Sequence, residues 1–377
     1  MDQDNNGNLV IKEEALQIIQ NLNGDVAVCI VFGPLREGKS FILNLLLNQN
    51  NGFELGGDIS SCTRGIWMWN TPIKHKNKHG EFNLILMDTE GLGSCDRAPE
   101  DDNKIFVLSL LLSSYFVFNT KNAIDRDAIK KLGIMADLSK FIDSIGENQE
   151  KSSASSNSPD FVWCLRDVFL KLKSITPKEY LQECLELKNL RGKITKEFEE
   201  EVKFIHEAIK KSFNSMDCYI LPRPIDNGFN GMSLDETLQK LNKVDIGQLR
   251  PDFRNNVNHL WNTMKSNIRP KNYLFSGSAF SEYIKIVVEK LNKNEKVSVT
   301  ESLTLSRKYA SEREESKKKM IYSGIAGAAG AAGIAAGVVL IGPQVAIATT
   351  AALPLVAIAA AAALPALVMA AVKNLKG

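Results

Sequence analysis

From Val26 to Phe32 the run VAVCIVF is apolar without alternation and rich in β-branched residues, the pattern of a strand covered on both faces of a parallel sheet. Further apolar runs follow at GIWMW (65–69), FNLILMD (82–88), YFVFN (115–119), DFVWCLRD (160–167) and DCYILPRP (217–224), separated by helix-patterned stretches at 103–113, 122–144 and 178–211. Strands alternating with helices predict an α/β fold: a three-layer domain on a mixed, mostly parallel sheet. The Ser/Asn-rich stretch GENQEKSSASSNSP (146–159) holds too few apolar residues for a core and reads as an inserted loop. After LFSGSAFSEYIKIVVEKLNKN (274–294) the composition changes. The domain is therefore predicted to occupy 1–295, followed by a charged helical stalk over 296–319 and an apolar tail over 320–377.

From Ile321 to Val372 the tail has no charged residue, and Ala and Gly dominate. Two apolar spans, 321–341 and 345–372, flank GPQ, and each exceeds the ~20 residues that cross a bilayer as a helix. Lys317 to Lys319 precede the first span and Lys373 and Lys376 follow the second, which favours both ends on the cytoplasmic side. The expectation is a short helix followed by an Ala/Gly-rich C-terminal helical hairpin, contacting membrane lipid through 321–372. Gly333-x-x-x-Gly337 suits helix packing in lipid or in a soluble Ala-rich bundle, and Pro354 and Pro365 interrupt the second span. An interfacial segment and a packed tail stay open as alternatives.

Charge narrows the partners. With 46 basic against 44 acidic residues in 377, the net charge of +2 gives no basic stripe for nucleic acid, so none is expected as a partner. The six cysteines form no C-x-x-C pair and the N-terminus is polar without a signal-peptide pattern, pointing to a reduced, cytoplasmic domain. His75 and His79 lie between two strand-like runs, so KHKNKHGE reads as a hairpin turn rather than a zinc pair.

The chemistry begins at GPLREGKS (33–40), which satisfies G-x-x-x-x-G-K-[ST] between a strand and a helix. Backbone N–H groups of such a loop wrap a β-phosphate, Lys39 reaches the β/γ oxygens and Ser40 ligates Mg²⁺. DTEG (88–91) ends an apolar strand, placing the Asp88 carboxylate behind Mg²⁺ and the Gly91 N–H near a γ-phosphate. Between the two, SSCTRG (60–65) supplies Ser61 and Thr63, the latter where a switch threonine would meet Mg²⁺. NKVD (242–245) imitates a guanine-reading motif but follows a polar, helix-patterned stretch, whereas α/β domains bind ligands at strand ends. Arg166 and Asp167, closing FVWCLRD, are the better base readers, because an aspartate accepts guanine N1–H and N2–H and finds no such donor pair on adenine.

GPLREGKS, TRGIWMW, DTEGLG, LLSSYFVFN, FVWCLRD and FSEY together resemble the guanylate-binding protein and atlastin group of dynamin-related large GTPases, over about residues 10–290, with GIWMW favouring the guanylate-binding branch. The resemblance implies a GTPase with an internal arginine finger, active as a homodimer of G domains facing across their nucleotides. Its catalytic positions match Arg36, Ser61 and Glu90. The nucleotide set becomes Gly33, Arg36, Glu37, Gly38, Lys39, Ser40, Phe41, Thr63, Gly91, Arg166, Asp167 and, as the guanine-cap arginine, Arg223. Mg²⁺ falls to Ser40 and Thr63 with Asp88 behind them. Arg36 also stands on its own chemistry, since a guanidinium on the phosphate loop neutralises charge developing on the γ-phosphoryl group. Glu90 is a poor base at an ordinary carboxylate pKa and is read as orienting water with Ser61. Cys62 and Cys95, beside the switches, are read as structural.

Where guanylate-binding proteins carry a long helical region and atlastins a helical bundle, this sequence is expected to place one helix-sized segment, 296–319, and then the apolar tail. Two functions follow as expectations: a membrane-anchored GTPase activated by G-domain pairing, or a protein in which GTP only switches the exposure of the apolar tail, with negligible turnover.

Overall fold

The computed structural model describes residues 1–4, 7–49, 52–53, 65–92, 99–142, 158–168, 172, 174–188, 195–227, 231–233, 236–237, 245–271, 276–330, 336–341 and 344–349. The predicted insertion at 146–159 lies almost wholly outside them.

A short strand pair, β1 (Asp2–Gln3) and β2 (Leu9–Val10), precedes helix α1 (Glu13–Gln20). The apolar run beginning at Val26 forms β3 (Asp25–Phe32), followed by α2 (Lys39–Leu47). Then come β4 (Ile66–Met68), β5 (Ile73–Asn77), β6 (Gly80–Thr89), α3 (Pro99–Leu112) and β7 (Tyr115–Lys121). The second half of the domain supplies α4 (Arg126–Lys131), a 3₁₀ turn (Leu132–Asp137), α5 (Leu138–Phe141), β8 (Asp160–Arg166), α6 (Pro177–Leu185), α7 (Lys196–Ser212) and β9 (Ser215–Leu221). Helices α8 (Pro251–Asn267) and α9 (Gly277–Asn292) complete it.

The seven-stranded sheet runs β4-β6-β3-β7-β8-β9, with β5 also on β6. β6, β3, β7, β8 and β9 are parallel neighbours, while β4 and β5 run antiparallel to β6. Strand order reverses at β3, so its C-terminal end opens the crevice where doubly wound sheets take ligands. Register brings the functional ends together: Val31 lies opposite Asp88, Phe32 opposite Phe118, and Arg166 opposite both Lys121 and Leu221.

The two sheet faces divide the core by the period of a strand. Val26, Val28, Ile30 and Phe32 share one apolar core with Phe106 of α3, Phe116, Trp163 and Phe280 of α9; Ala27, Cys29 and Val31 share the other with Phe41 of α2 and Phe253 of α8. The three-layer expectation is met.

Two predicted helices are divided. The 122–144 stretch turns 3₁₀ from Leu132, beside Gly133, a weak helix former. The 178–211 stretch is two helices, each restarted by a threonine cap: Thr176 in a reciprocal capping box with Glu179, and Thr195 accepting from Phe198 N–H. KHKNKHGE is the β5–β6 hairpin, with the His75 ring bonded to the Lys265 carbonyl.

Residues 1–310 form one compact unit and 311–377 a second. Helix α10 (Val299–Gly330) begins in the first, where Leu303 and Ala310 are buried, and carries on past residue 319. In the second unit the expectation of helices over 336–349 is corrected: Ala336–Ile341 and Gln344–Thr349 are antiparallel strands, β10 and β11. The local sequence accounts for this. Val338, Val339, Ile341, Val345 and Ile347 are β-branched, and Pro343 cannot supply a helical N–H. Among the described residues no helix is long and apolar enough to cross a membrane.

Candidate functional site

The phosphate loop leaves β3 through Gly33 and enters α2 at Lys39. Two of its glycines are required by position. Gly33 has φ 148°, and a Cβ there would lie 2.1 Å from the Asn119 carbonyl oxygen; Gly38 has φ 75°, and a Cβ would lie 1.9 Å from Arg166 Nη1. Lys39 is buried, and its Nζ donates to the Pro34 carbonyl at 3.0 Å, closing the loop on itself. Burial lowers the Lys39 pKa, while the charges of Asp88, Glu37 and Glu90 pull it back up.

Ser40 Oγ donates to Asp88 Oδ2 at 2.5 Å, and Asp88 Oδ1 accepts the Thr89 N–H at 3.0 Å. The Thr89 hydroxyl in turn donates to the Val31 carbonyl, so a fully buried carboxylate is fixed between β3 and β6. The segment after Asp88 lies against the phosphate loop: Leu35 N–H donates to the Leu92 carbonyl and Leu92 N–H to Gly33, both at 3.1 Å. A Cβ on Gly91 would lie 2.1 Å from Leu35 Cα, which makes this glycine the condition for the close approach. Glu90 is buried and turned to the end of the switch segment. Its carboxylate accepts the Gly65 N–H at 2.7 Å, and its own N–H donates to the Gly65 carbonyl at 2.7 Å.

At the other end of the loop, Arg166 and Asp167 stand where β8 runs out. The Arg166 guanidinium is 4% exposed, donates from Nη1 to the carbonyls of Gly38 (3.1 Å) and Glu37 (3.3 Å), and lies over the Phe41 ring at 5.4 Å. Asp167 has φ 57°, a left-handed conformation that aspartate tolerates better than most residues. Its Oδ1 is 4.0 Å from Arg166 Nη2 yet has no hydrogen-bond partner among the described residues. Arg223 is half-buried, two residues beyond the end of the adjacent β9.

Arg36 is exposed on the loop at φ 61°. Glu37 beside it is held on all sides. Its carbonyl accepts Asn119 Nδ2 at 2.8 Å in addition to Arg166, its carboxylate accepts the Lys121 N–H at 2.8 Å, and Lys131 Nζ lies at 3.3 Å. Asn119, Lys121 and Lys131 are the partners that sequence reasoning missed. The position of Asn119 at the end of YFVFN, a third strand reaching the same crevice, was the available signal. Ser61, Thr63, Cys62 and Cys95 lie outside the described residues. Asp245 of the decoy NKVD caps a 3₁₀ turn, accepting the Gly247 N–H at 2.6 Å, and does not close a strand.

The residues fit the groups that the motifs imply. Ser40 and Asp88 put two hard oxygen donors within hydrogen-bond distance, a suitable pair for Mg²⁺ directly at one and behind it at the other. The unpartnered Asp167 oxygen fits a ligand that brings N–H donors.

Comparison with known proteins gives the family. The family described as "Guanylate-binding protein, N-terminal domain" matches residues 6–272. Guanylate-binding protein 6 of Homo sapiens is 33% identical over 266 residues, 68% of this chain and 40% of its own length. Guanylate-binding protein 1 of Homo sapiens is 35% identical over 278 residues (71% of this chain, 44% of its own), and guanylate-binding protein 5 of Mus musculus is 31% identical over 318 (80% and 51%). The chain thus aligns with about half or less of each of these relatives. With more than half of its residues matched by the family's N-terminal domain, the chain belongs to the guanylate-binding protein family.

Proposed function

We propose that this chain binds GTP with Mg²⁺ and hydrolyses it, that two G domains pair to reach full activity, and that the tail holds the protein at the cytoplasmic face of an intracellular membrane. The observation that carries the nucleotide reading is the corner made by Gly38, Arg166 and Asp167: the base-reading strand is bonded to the phosphate loop, and a carboxylate oxygen beside it has no hydrogen-bond donor among the described residues.

In this reading the loop from Gly33 to Ser40 presents its amides to the β-phosphate, with Lys39 adding charge and Phe41 supporting the corner. Ser40 and Thr63 would hold Mg²⁺ with Asp88 behind them, and the ion would supply positive charge to the phosphoryl oxygens. Asp167 accepts from the guanine edge and Arg223 caps the base. Arg36, exposed and adjacent to the phosphate seat, supplies the guanidinium that stabilises the transferring group when a partner domain covers it. Ser61 and Glu90 orient the attacking water, with Glu90 held in place on the Gly65 backbone.

The tail reading rests on the uncharged run from Ile321 to Val372 and its lysine flanks. Residues 336–349 form the β10–β11 strand pair, and depth-resolved labelling distinguishes its insertion from a place at the interface.

Nucleotide competition tests the base assignment: unlabelled GTP should displace a fluorescent guanine nucleotide from the full chain at least ~100-fold better than ATP, the discrimination that a guanine-reading carboxylate supports. Equal displacement by the two would remove the reading. Alkaline carbonate extraction tests the tail, because full-length protein should stay with membranes while a chain ending at residue 319 is released.

A further inference from the structure

The loop residue next to Arg36 carries a negative charge, an unfavourable sign beside a triphosphate. Glu37 nevertheless sits there, with its side chain only 13% exposed. Its carboxylate is drawn to the far side, where Oε2 accepts the Lys121 N–H at 2.8 Å and Oε1 pairs with Lys131 Nζ at 3.3 Å. Lys121 ends β7 and Lys131 ends α4, so both partners belong to the packed frame. Its carbonyl is bound as well, by Asn119 Nδ2 and Arg166 Nη1.

Arg36, immediately before it, occupies the left-handed region at φ 61°, a conformation that costs a non-glycine residue free energy and persists where its neighbours hold it. On the N-terminal side the hold is the pair of bonds between Gly33 or Leu35 and Leu92. On the C-terminal side it is Glu37.

We propose that Glu37 is a positioning residue: by fixing its own carboxylate on the Lys121 amide and the Lys131 ammonium, it holds Arg36 in the left-handed conformation and sets the direction in which its guanidinium leaves the loop. This rests on the reading of the chain as a GTPase with Arg36 as its finger. The same two bonds keep the Glu37 charge from turning toward the phosphate seat.

Two readouts on the full chain test this. Amide exchange across residues 33–40 of the nucleotide-free protein reports the anchoring, and steady-state turnover at high protein concentration reports its consequence. Glu37→Ala should speed exchange about tenfold and lower kcat about tenfold with KM changed less than about threefold, the size expected for one charge-assisted hydrogen bond. Glu37→Gln still accepts the Lys121 N–H and should recover most of both. Lys131→Met, which removes only the half-exposed ion pair, should cost about threefold or less. Unchanged exchange in Glu37→Ala overturns the proposal, as does a Glu37→Gln variant as impaired as the alanine. If the unmutated chain shows no turnover, the GTPase reading fails on that result alone, and exchange in Glu37→Ala still decides the anchoring.

Discussion

The two arginines of the site sit in opposite surroundings. Arg166 is enclosed at the base end, its guanidinium spent on the carbonyls of Glu37 and Gly38 and on the Phe41 ring. Arg36 is exposed at the phosphate end on a left-handed backbone. A buried guanidinium bonded to loop carbonyls through one nitrogen acts by fixing other groups, and changing it disturbs folding; an exposed one can meet charge that develops later. In the proposed function the buried arginine ties the base-reading corner to the phosphate loop, and the exposed one acts at the transferring phosphoryl group.

Gly38→Ala should break this contrast most severely. The new Cβ meets Arg166 Nη1 and strains a φ of 75°, so Arg166 must leave the loop carbonyls. Denaturant unfolding should register a loss of about 2–4 kcal/mol, a size typical of clash combined with backbone strain. Nucleotide affinity should fall with it.

Asp167→Asn probes the base end more gently. One acceptor becomes a donor facing a guanine donor, so GTP affinity should drop about 10- to 100-fold in a binding titration while ATP affinity changes little. Equal losses for both nucleotides would mean that Asp167 shapes the corner without reading the base.

The smallest effect concerns a cation away from the site. Burial pulls the Lys271 pKa down to about 7, and its Nζ donates to the Leu111 carbonyl. Between that value and the unfolded lysine value near 10.5 the unfolded chain binds more protons, so stability rises with pH across the window. Unfolding free energy should climb by about 2 kcal/mol at most from pH 7 to pH 9, and Lys271→Met should flatten that part of the slope.

Much of this was legible in the sequence because the relevant residues sit where periodicity and motif agree. VAVCIVF, GPLREGKS, DTEG and FVWCLRD mark the strand ends that converge, and so the sequence placed Lys39, Ser40, Asp88, Arg166 and Asp167 at one crevice. What escaped was long-range and backbone-mediated. No local pattern reveals that Asn119 and Lys121 from one strand bond Glu37 on the loop, or that the Arg166 guanidinium occupies the space vacated by the missing Gly38 side chain. Glu90 met the Gly65 backbone for the same reason: the two lie 25 residues apart and are aligned by the β4–β6 pairing. In the tail the difference is confined, among the described residues, to 336–341 and 344–349, while 321–330 is helical. A run of Ala, Gly, Val and Ile has no polar positions to mark a face, so length alone suggested helices, and the β-branched residues around Gly342-Pro343 formed strands instead.

The contrast between the two arginines is tested most directly by GTPase specific activity of the full chain as a function of protein concentration, for the unmutated protein and for Arg36→Ala. Specific activity should rise with concentration in the first. In the variant it should stay low throughout, about 10²- to 10³-fold below the unmutated maximum, with unfolding free energy within ~0.5 kcal/mol, as expected for an exposed catalytic group. Activity independent of concentration, or an Arg36→Ala variant that turns over at the original rate, would contradict the account.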